Sequence, residues 1–311
     1  MEKTLNILDP YDNELHTLLW TTGRKKAIGV VQIVHGKSEH ISRYKEFAEY
    51  LNSIGLVVIG NDHLGHGMST DTHEYVHFAD TMGFHKVYGG VQVVRDYIEE
   101  NYPGLPVIMF AHSLGSFIGR YAILYDHKRY DQAIFSGTGY FNRSKIKSAK
   151  LMANVLIKTK GPTYVSNLFT KITTEGTVKS MMKNGLINHK KEWVSHDREI
   201  QNHMVNCNMC GAPFTVAAQR DLFEFILEVQ NKKKIVESAS STAIYFISGE
   251  YDALGDYGIA SKKLFTLYRN AGYSNVHYTV VNGARHEVIN EIDREQTYGI
   301  LGKWILKNIN L

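Results

Sequence analysis

The stretch PVIMFAHSLGSFIGRYAILY, residues 106–125, decides the fold. Its opening, 106–110, is a short apolar run after the Pro103-Gly104 break, which reads as a buried strand. Residues 116–125 continue as a helix. Between them lies Ala111-His112-Ser113-Leu114-Gly115. A serine at the apex of so sharp a strand-to-helix turn has its hydroxyl exposed and its backbone strained, and small residues two before and two after it relieve the crowding. Ala111 and Gly115 are those residues. Ala111 stands where glycine is usual and adds one methyl group at a tight spot. On this segment alone, Ser113 also reads as a plain helix N-cap.

Working outward, short β-branched runs alternate with helical spacing, the pattern of a mostly parallel sheet covered by helices. Residues 14–22 read as an early strand in an antiparallel edge hairpin with the segment after it, and 27–34 as a strand ending at His35-Gly36. A helix over 43–54 precedes a strand over 56–60, which ends at Asn61-Asp62. Val87, Val91, Val94 and Ile98 place a helix over 85–101, and 132–136 is another buried strand. After Tyr140 the β rhythm stops for about a hundred residues, and Ile146, Ala149, Ala153, Leu156 and Ile157 fall at helical spacing. It resumes with a strand over 242–248, a helix over 257–271, a strand over 276–281 and a helix over 291–309. The expectation is an α/β fold interrupted once: a core over 1–139, a helical cap inserted over 140–236, and the rest of the core over 237–311. No internal repeat is present.

Composition excludes several classes. Of 311 residues, 43% are hydrophobic and 21% charged, with 26 Gly and 5 Pro, which is neither a disordered nor a low-complexity chain. The net charge of +4 is small for this length and does not argue for nucleic acid, which demands a concentrated basic face. Residues 141–200 hold twelve Lys plus Arg against four Asp plus Glu, so the inserted segment is basic and the remainder mildly acidic. Residues 1–19 lack a basic n-region followed by an apolar run, and no uninterrupted apolar window is long enough to span a bilayer, so a cytoplasmic protein is expected. Between Arg143 and Lys191, cations alternate with apolar clusters such as Leu151, Met152, Val155 and Leu156, which suits a peripheral lipid surface as well as a merely solvated helix face.

A serine hydroxyl becomes a nucleophile when an imidazole removes its proton, and the imidazole needs a carboxylate to set its tautomer. In this topology the chain order is Ser, acid, His. Asp252 follows a strand in Gly249-Glu250-Tyr251-Asp252, and His286 follows the last strand in Gly283-Ala284-Arg285-His286. Both sit beyond carboxyl ends of strands, where such sheets bind ligands. Glu250 and Asp256 compete for the role of Asp252. Acyl transfer also needs two oxyanion donors, and the backbone N–H groups of Leu114 and Lys37 are placed to supply them.

Cys207 and Cys210 are the only cysteines, spaced C-x-x-C. Neither the early strand–helix context of a redox pair nor a second ligand pair of similar spacing accompanies them, so they read as reduced thiols in a helical segment, with His203 a packing residue. His63, His66 and His112 lack metal-site spacing, and Gly65 and Gly67 lack the Lys-Ser/Thr of a phosphate loop. No metal and no cofactor are expected.

His35-Gly36-Lys37-Ser38-Glu39-His40 with Tyr44, Asp62-His63-Leu64-Gly65-His66-Gly67 with Ser69, the Ser113 turn, the Gly249 to Asp252 turn and Arg285-His286-Glu287 together resemble the monoacylglycerol lipase and lysophospholipase branch of the α/β-hydrolases. These are serine-aminopeptidase-like hydrolases, and the bacterial members are the most similar. Cys210-Gly211-Ala212-Pro213-Phe214-Thr215 resembles a segment of the bacterial cap. The resemblance implies a serine ester hydrolase with a lid over an acyl pocket, acting on a small ester or lipid. A short-chain esterase, peptidase, acyltransferase or non-catalytic binder would share the same fold.

Overall fold

The computed structural model describes residues 1–23, 26–170 and 176–309. Five residues of the expected insertion, 171–175, lie outside the described residues, as do Arg24, Lys25, Asn310 and Leu311.

Eight strands form one sheet: β1 (Glu2–Leu8), β2 (Glu14–Trp20), β3 (Gly29–Val34), β4 (Leu56–Asn61), β5 (Val107–His112), β6 (Gln132–Ser136), β7 (Ala243–Gly249) and β8 (Val276–Val281). Their order is β1-β2-β4-β3-β5-β6-β7-β8. The pairs from β4 through β8 are parallel, and β2 runs antiparallel to both of its neighbours. Every residue of β3 to β7 is buried, as expected of parallel strands covered on both faces.

The strand period of two sorts these residues into two cores. Val31, Ile33, Ile108 and Phe110 face α1 (Lys45–Ser53) and the last helix, α11 (Arg294–Ile309), through Phe47, Leu51, Leu301 and Ile305. Val30, Val34, Val107 and Met109 face the opposite side. There they join Val87 and Val91 of α2 (Gly83–Asn101), Ile118 of α3 (Leu114–Asp126) and Leu264 of α10 (Ile259–Asn270).

The early hairpin differs from the sequence reading. β2 pairs with β1, which precedes it, and β2 lies inside the sheet between β1 and β4. β1 escaped notice because none of its residues is fully buried: only Leu5 and Ile7 pack, half-covered, against the core, an alternation too short to stand out. The last helix also begins later than expected, since Val288–Asn290 forms a separate turn and leaves Glu291 in a loop.

Between β6 and β7 the chain forms α4 (Arg143–Lys160), α5 (Asn167–Thr170), α6 (Gly176–Lys183), α7 (Arg198–Asn206), α8 (Val216–Val229) and α9 (Lys232–Glu237). α8 anchors this segment to the core. Phe225 packs on Phe84 with ring centroids 4.1 Å apart, and the buried Arg120 of α3 donates to the Val229 carbonyl at 2.9 Å. α4 is held differently: Ala153 is its one buried residue, and Leu151, Met152 and Val155 are exposed. Among the described residues no helix is long and apolar enough to cross a membrane.

Candidate active site

β5 runs two residues beyond its expected apolar stretch, to His112, and α3 begins at Leu114, so Ser113 alone makes the turn. Its backbone takes φ 51° and ψ −115°, a strained conformation for a residue with a Cβ, costing on the order of 1–3 kcal/mol. The surroundings hold it there. Ser113 N–H donates to the Ser136 carbonyl at 2.9 Å, and the Ser113 carbonyl accepts from both the N–H and the hydroxyl of Ser116, at 3.0 and 2.6 Å. Gly115 has to be small because a Cβ there would run into the Val34 and His35 carbonyls.

The structure also explains how Ala111 is accommodated. Its methyl faces Gly119 one turn into α3, where an added Cβ would stand 2.8 Å from Ala111 Cβ and 2.6 Å from Met109 Sδ. The missing Cβ at 119 makes room for the extra one at 111. Gly119→Ala is therefore expected to destabilise by about 1–3 kcal/mol, although Gly→Ala in a helix ordinarily stabilises by about 1 kcal/mol. Adding Ala111→Gly should recover part of the loss. Denaturant unfolding of the three variants checks this, and a stabilised single variant would refute the packing argument.

β7 and β8 end beside each other, and their loops bring Asp252 and His286 together. His286 Nδ1 lies 2.9 Å from Asp252 Oδ1, which also accepts from Leu254 N–H at 3.0 Å, and both side chains are buried. The competing carboxylates lie elsewhere. Glu250 accepts from Gly283 N–H at 2.9 Å, and the exposed Asp256 stands 3.7 Å from Lys263. Burial alone would push the His286 pKa down, but the charge and hydrogen bond of Asp252 outweigh it, and the group ends above its ordinary value of 6.5. Burial likewise opposes ionisation of Asp252, and His286 overcomes it, so this carboxyl titrates below its usual range. His286 Nε2 is buried and has no hydrogen-bond partner, and it shares a cavity of about 270 Å³ with Ser113 and Lys37.

The β3–α1 loop supplies the third wall. Leu114 is the first residue of α3, so its N–H has no acceptor within the helix, and Lys37 lies in the loop opposite. Gly36 lets the loop approach the serine, since a Cβ there would lie 3.2 Å from Ser113 Cβ. Glu39 shapes the loop by accepting from Gly36 N–H at 2.6 Å and from the Tyr44 hydroxyl at 2.9 Å.

Three features of the site had little or no signal in the sequence. The Arg43 side chain is buried between two carboxylates, pairing with Glu39 and with Glu287 at 2.6 Å, and so ties the Lys37 loop to the His286 loop. Trp193, between α6 and α7, stacks on the His286 ring, with centroids 4.9 Å apart and planes 29° from parallel. The same segment is fastened to the histidine loop: Arg285 donates to the Glu192 carbonyl, Glu287 N–H to the Val194 carbonyl at 2.8 Å, and His196 N–H to Glu291 at 2.9 Å. Adjacency of Glu287 to His286 was the one legible hint.

His63, His66 and His112 are buried and serve the loops. His63 N–H donates to His35 Nε2 at 2.9 Å, and His66 Nδ1 lies 3.1 Å from the Leu64 carbonyl. Burial holds all three neutral, pulling His63 down to about 4 and His66 and His112 to about 3. The cysteines depart from the expected helical placement: Cys207 caps the end of α7, and Cys210 lies in the turn beyond it.

A serine on a strained turn after β5, a carboxylate after β7 and a histidine after β8 of this sheet define an α/β-hydrolase. The chain belongs to the Hydrolase_4 family, described as serine aminopeptidase, S33, which matches residues 25–293. It is 37% identical to the monoglyceride lipase of Homo sapiens over 97 residues, a match that spans 31% of this chain and only 30% of that protein's length. The monoglyceride lipase homolog of Monkeypox virus is 25% identical over 282 residues, 90% of each chain. Among solved structures, a thermostable carboxyl esterase from Bacillus coagulans superposes with a TM-score of 0.86 over 99% of both chains at 21% identity, a likeness of fold.

Proposed function

We propose that this protein is a serine hydrolase that cleaves the carboxylic ester of a single-chain lipid, a monoacylglycerol or lysophospholipid. Ser113 Oγ attacks the ester carbonyl while His286 Nε2 takes its proton, and Asp252 holds the imidazole through Nδ1. The N–H groups of Lys37 and Leu114 stabilise the oxyanion. His286 then protonates the leaving alcohol, and water, activated the same way, releases the acid. The observation that carries this reading is the buried His286–Asp252 pair at 2.9 Å, with His286 Nε2 left without a partner and His286 lining the same cavity as the strained Ser113. Residues 140–236 act in it as a cap, with Trp193 over the histidine.

Charge at the cavity bears on the head group. Lys37, Lys190 and Lys191 line it, while its two carboxylates, Glu39 and Glu287, are engaged by Arg43. An anionic head group is thereby favoured. One observation supports a second reading, a short-chain carboxylesterase: 270 Å³ is slightly below the roughly 300–1,000 Å³ of ordinary ligand sites.

A fluorophosphonate probe followed by a panel of esters and amides tests the reading. Labelling of Ser113 with turnover greatest on lysolipids or monoacylglycerols supports it. Labelling with turnover confined to short acyl esters selects the second reading, and an unlabelled Ser113 overturns both. Between about 0.05 and 0.5 M salt, hydrolysis of an anionic lysolipid should fall as screening shortens to a few ångströms, while hydrolysis of a neutral soluble ester barely changes. Burial pulls the Lys37 ammonium down to about 8, so the anionic substrate should also lose rate as pH rises through that value. Equal salt responses would remove the lysines from substrate choice.

A further inference from the structure

Two cysteines and two histidines converge where the β3–α1 loop meets the turn after α7, and none of the four lines the Ser113 cavity. The ligand atoms of His40, His203 and Cys207 all lie within 4.8 Å of one another, and His40 Nε2 stands 3.3 Å from Cys207 Sγ. A tetrahedral zinc ion with Zn–N near 2.0 Å and Zn–S near 2.3 Å sets its nitrogen and sulfur ligands roughly 3.5 Å apart. The observed spacing is close to that. Cys210 lies outside that close group of three, one turn further along, and is the residue available for a fourth position. The Cys207-Asn208-Met209-Cys210 turn closes with Cys210 N–H donating to the Cys207 carbonyl at 3.1 Å, and Gly211 follows with φ 81°, where a side chain would be strained. This geometry puts the Cys210 thiol in contact with that of Cys207.

We propose that His40, His203, Cys207 and Cys210 form a binding site for a soft divalent metal ion of the zinc class, with two nitrogen and two sulfur ligands. The His40 ring is already oriented: its Nδ1 lies 2.7 Å from Ser42 Oγ, which fixes the ring with Nε2 toward the thiol. Binding exchanges two S–H bonds for two metal–sulfur bonds and releases two protons to solvent, with no change of oxidation state. The exposed His203 leaves an entry path. The ion clamps two segments that already touch, since Gly211 N–H donates to the Ser38 carbonyl at 2.8 Å and the Ser38 hydroxyl to the Ala212 carbonyl at 2.6 Å. This site completes, through residues distant in sequence, the ligand set that C-x-x-C lacks locally.

The simpler account is a thiol–imidazole hydrogen bond alone, and a cobalt titration separates the two. Reduced, metal-stripped protein titrated with Co(II) should develop a thiolate-to-cobalt charge-transfer band and intense tetrahedral d–d bands, saturating at one equivalent and bleached by Zn(II). Cobalt on surface histidines gives no thiolate band. Cys207→Ser and Cys210→Ser should each lose about half of the charge-transfer intensity, and the double variant all of it. Zn(II) should raise the Tm of the parent by an amount that grows with its concentration and leave the double variant unchanged. Absence of the thiolate band in the parent, its persistence in the double variant, or an equal Tm response in both would overturn the site.

Discussion

Ser113→Ala is expected to lower kcat/KM for ester hydrolysis on the order of 10⁴-fold or more, with the fold unchanged. The loss is large because the proposed mechanism has a covalent step at Oγ, and the remaining oxyanion donors cannot replace a nucleophile. The fold survives because the elbow is held by backbone bonds, Ser113 N–H to Ser136 and Ser116 N–H to Ser113, neither of which uses the side chain. Relief of the strained turn by alanine is small, since alanine keeps the Cβ that makes φ 51° costly. Turnover within tenfold of the parent, measured with an unchanged Tm, would remove Ser113 from the chemistry.

Asp252→Asn should depress the plateau of kcat/KM by about 10⁴-fold. Asp252 Oδ1 faces His286 Nδ1, and an amide nitrogen in that place would donate to Nδ1 and force the ring proton onto Nε2, where it blocks proton abstraction. The pH profile carries an independent signature. His286 must be neutral to act, so the rate rises as pH passes through its pKa, and Asp252 sets that pKa above 6.5. The acid limb of the parent therefore lies above pH 6.5, a shift beyond the near-ordinary value that a histidine in water would give. In Asp252→Asn the raising charge is gone while burial remains, so the limb moves downward. Asp256→Asn, at an exposed carboxylate paired with Lys263, should change the rate less than about twofold. A large loss in Asp256→Asn with none in Asp252→Asn would reverse the assignment.

The parallel sheet and its helices were legible because their signals are local. Five apolar residues before a turn, small residues flanking a serine, and valines at helical spacing express a periodicity that each element must satisfy by itself. β1 was not legible, because only Leu5 and Ile7 of this edge strand turn half-buried toward the core, and its partner β2 was consequently given the wrong neighbour. Chain order and position after strands narrowed the candidate site to Ser113, His286 and three carboxylates, since residues beyond the ends of adjacent parallel strands must lie near one another. Which carboxylate reaches the imidazole is a matter of a few ångströms in loop geometry, and only the packed structure separates Asp252 from Glu250 and Asp256.

What the sequence determined by itself was thus the class of fold, the strained serine turn and the neighbourhood of Asp252 and His286, each written in residues close in the chain. The tertiary structure decided the rest: Trp193 stacked on His286, Arg43 shared by Glu39 and Glu287, the space at Gly119 that admits the methyl of Ala111, and His40 brought to Cys207 across 167 residues. In these cases the partners are far apart in sequence and neither carries a local mark of the other. Their contact is created by the close packing of a folded interior, in which one missing Cβ or one buried cation acquires a meaning that no run of neighbouring residues can express.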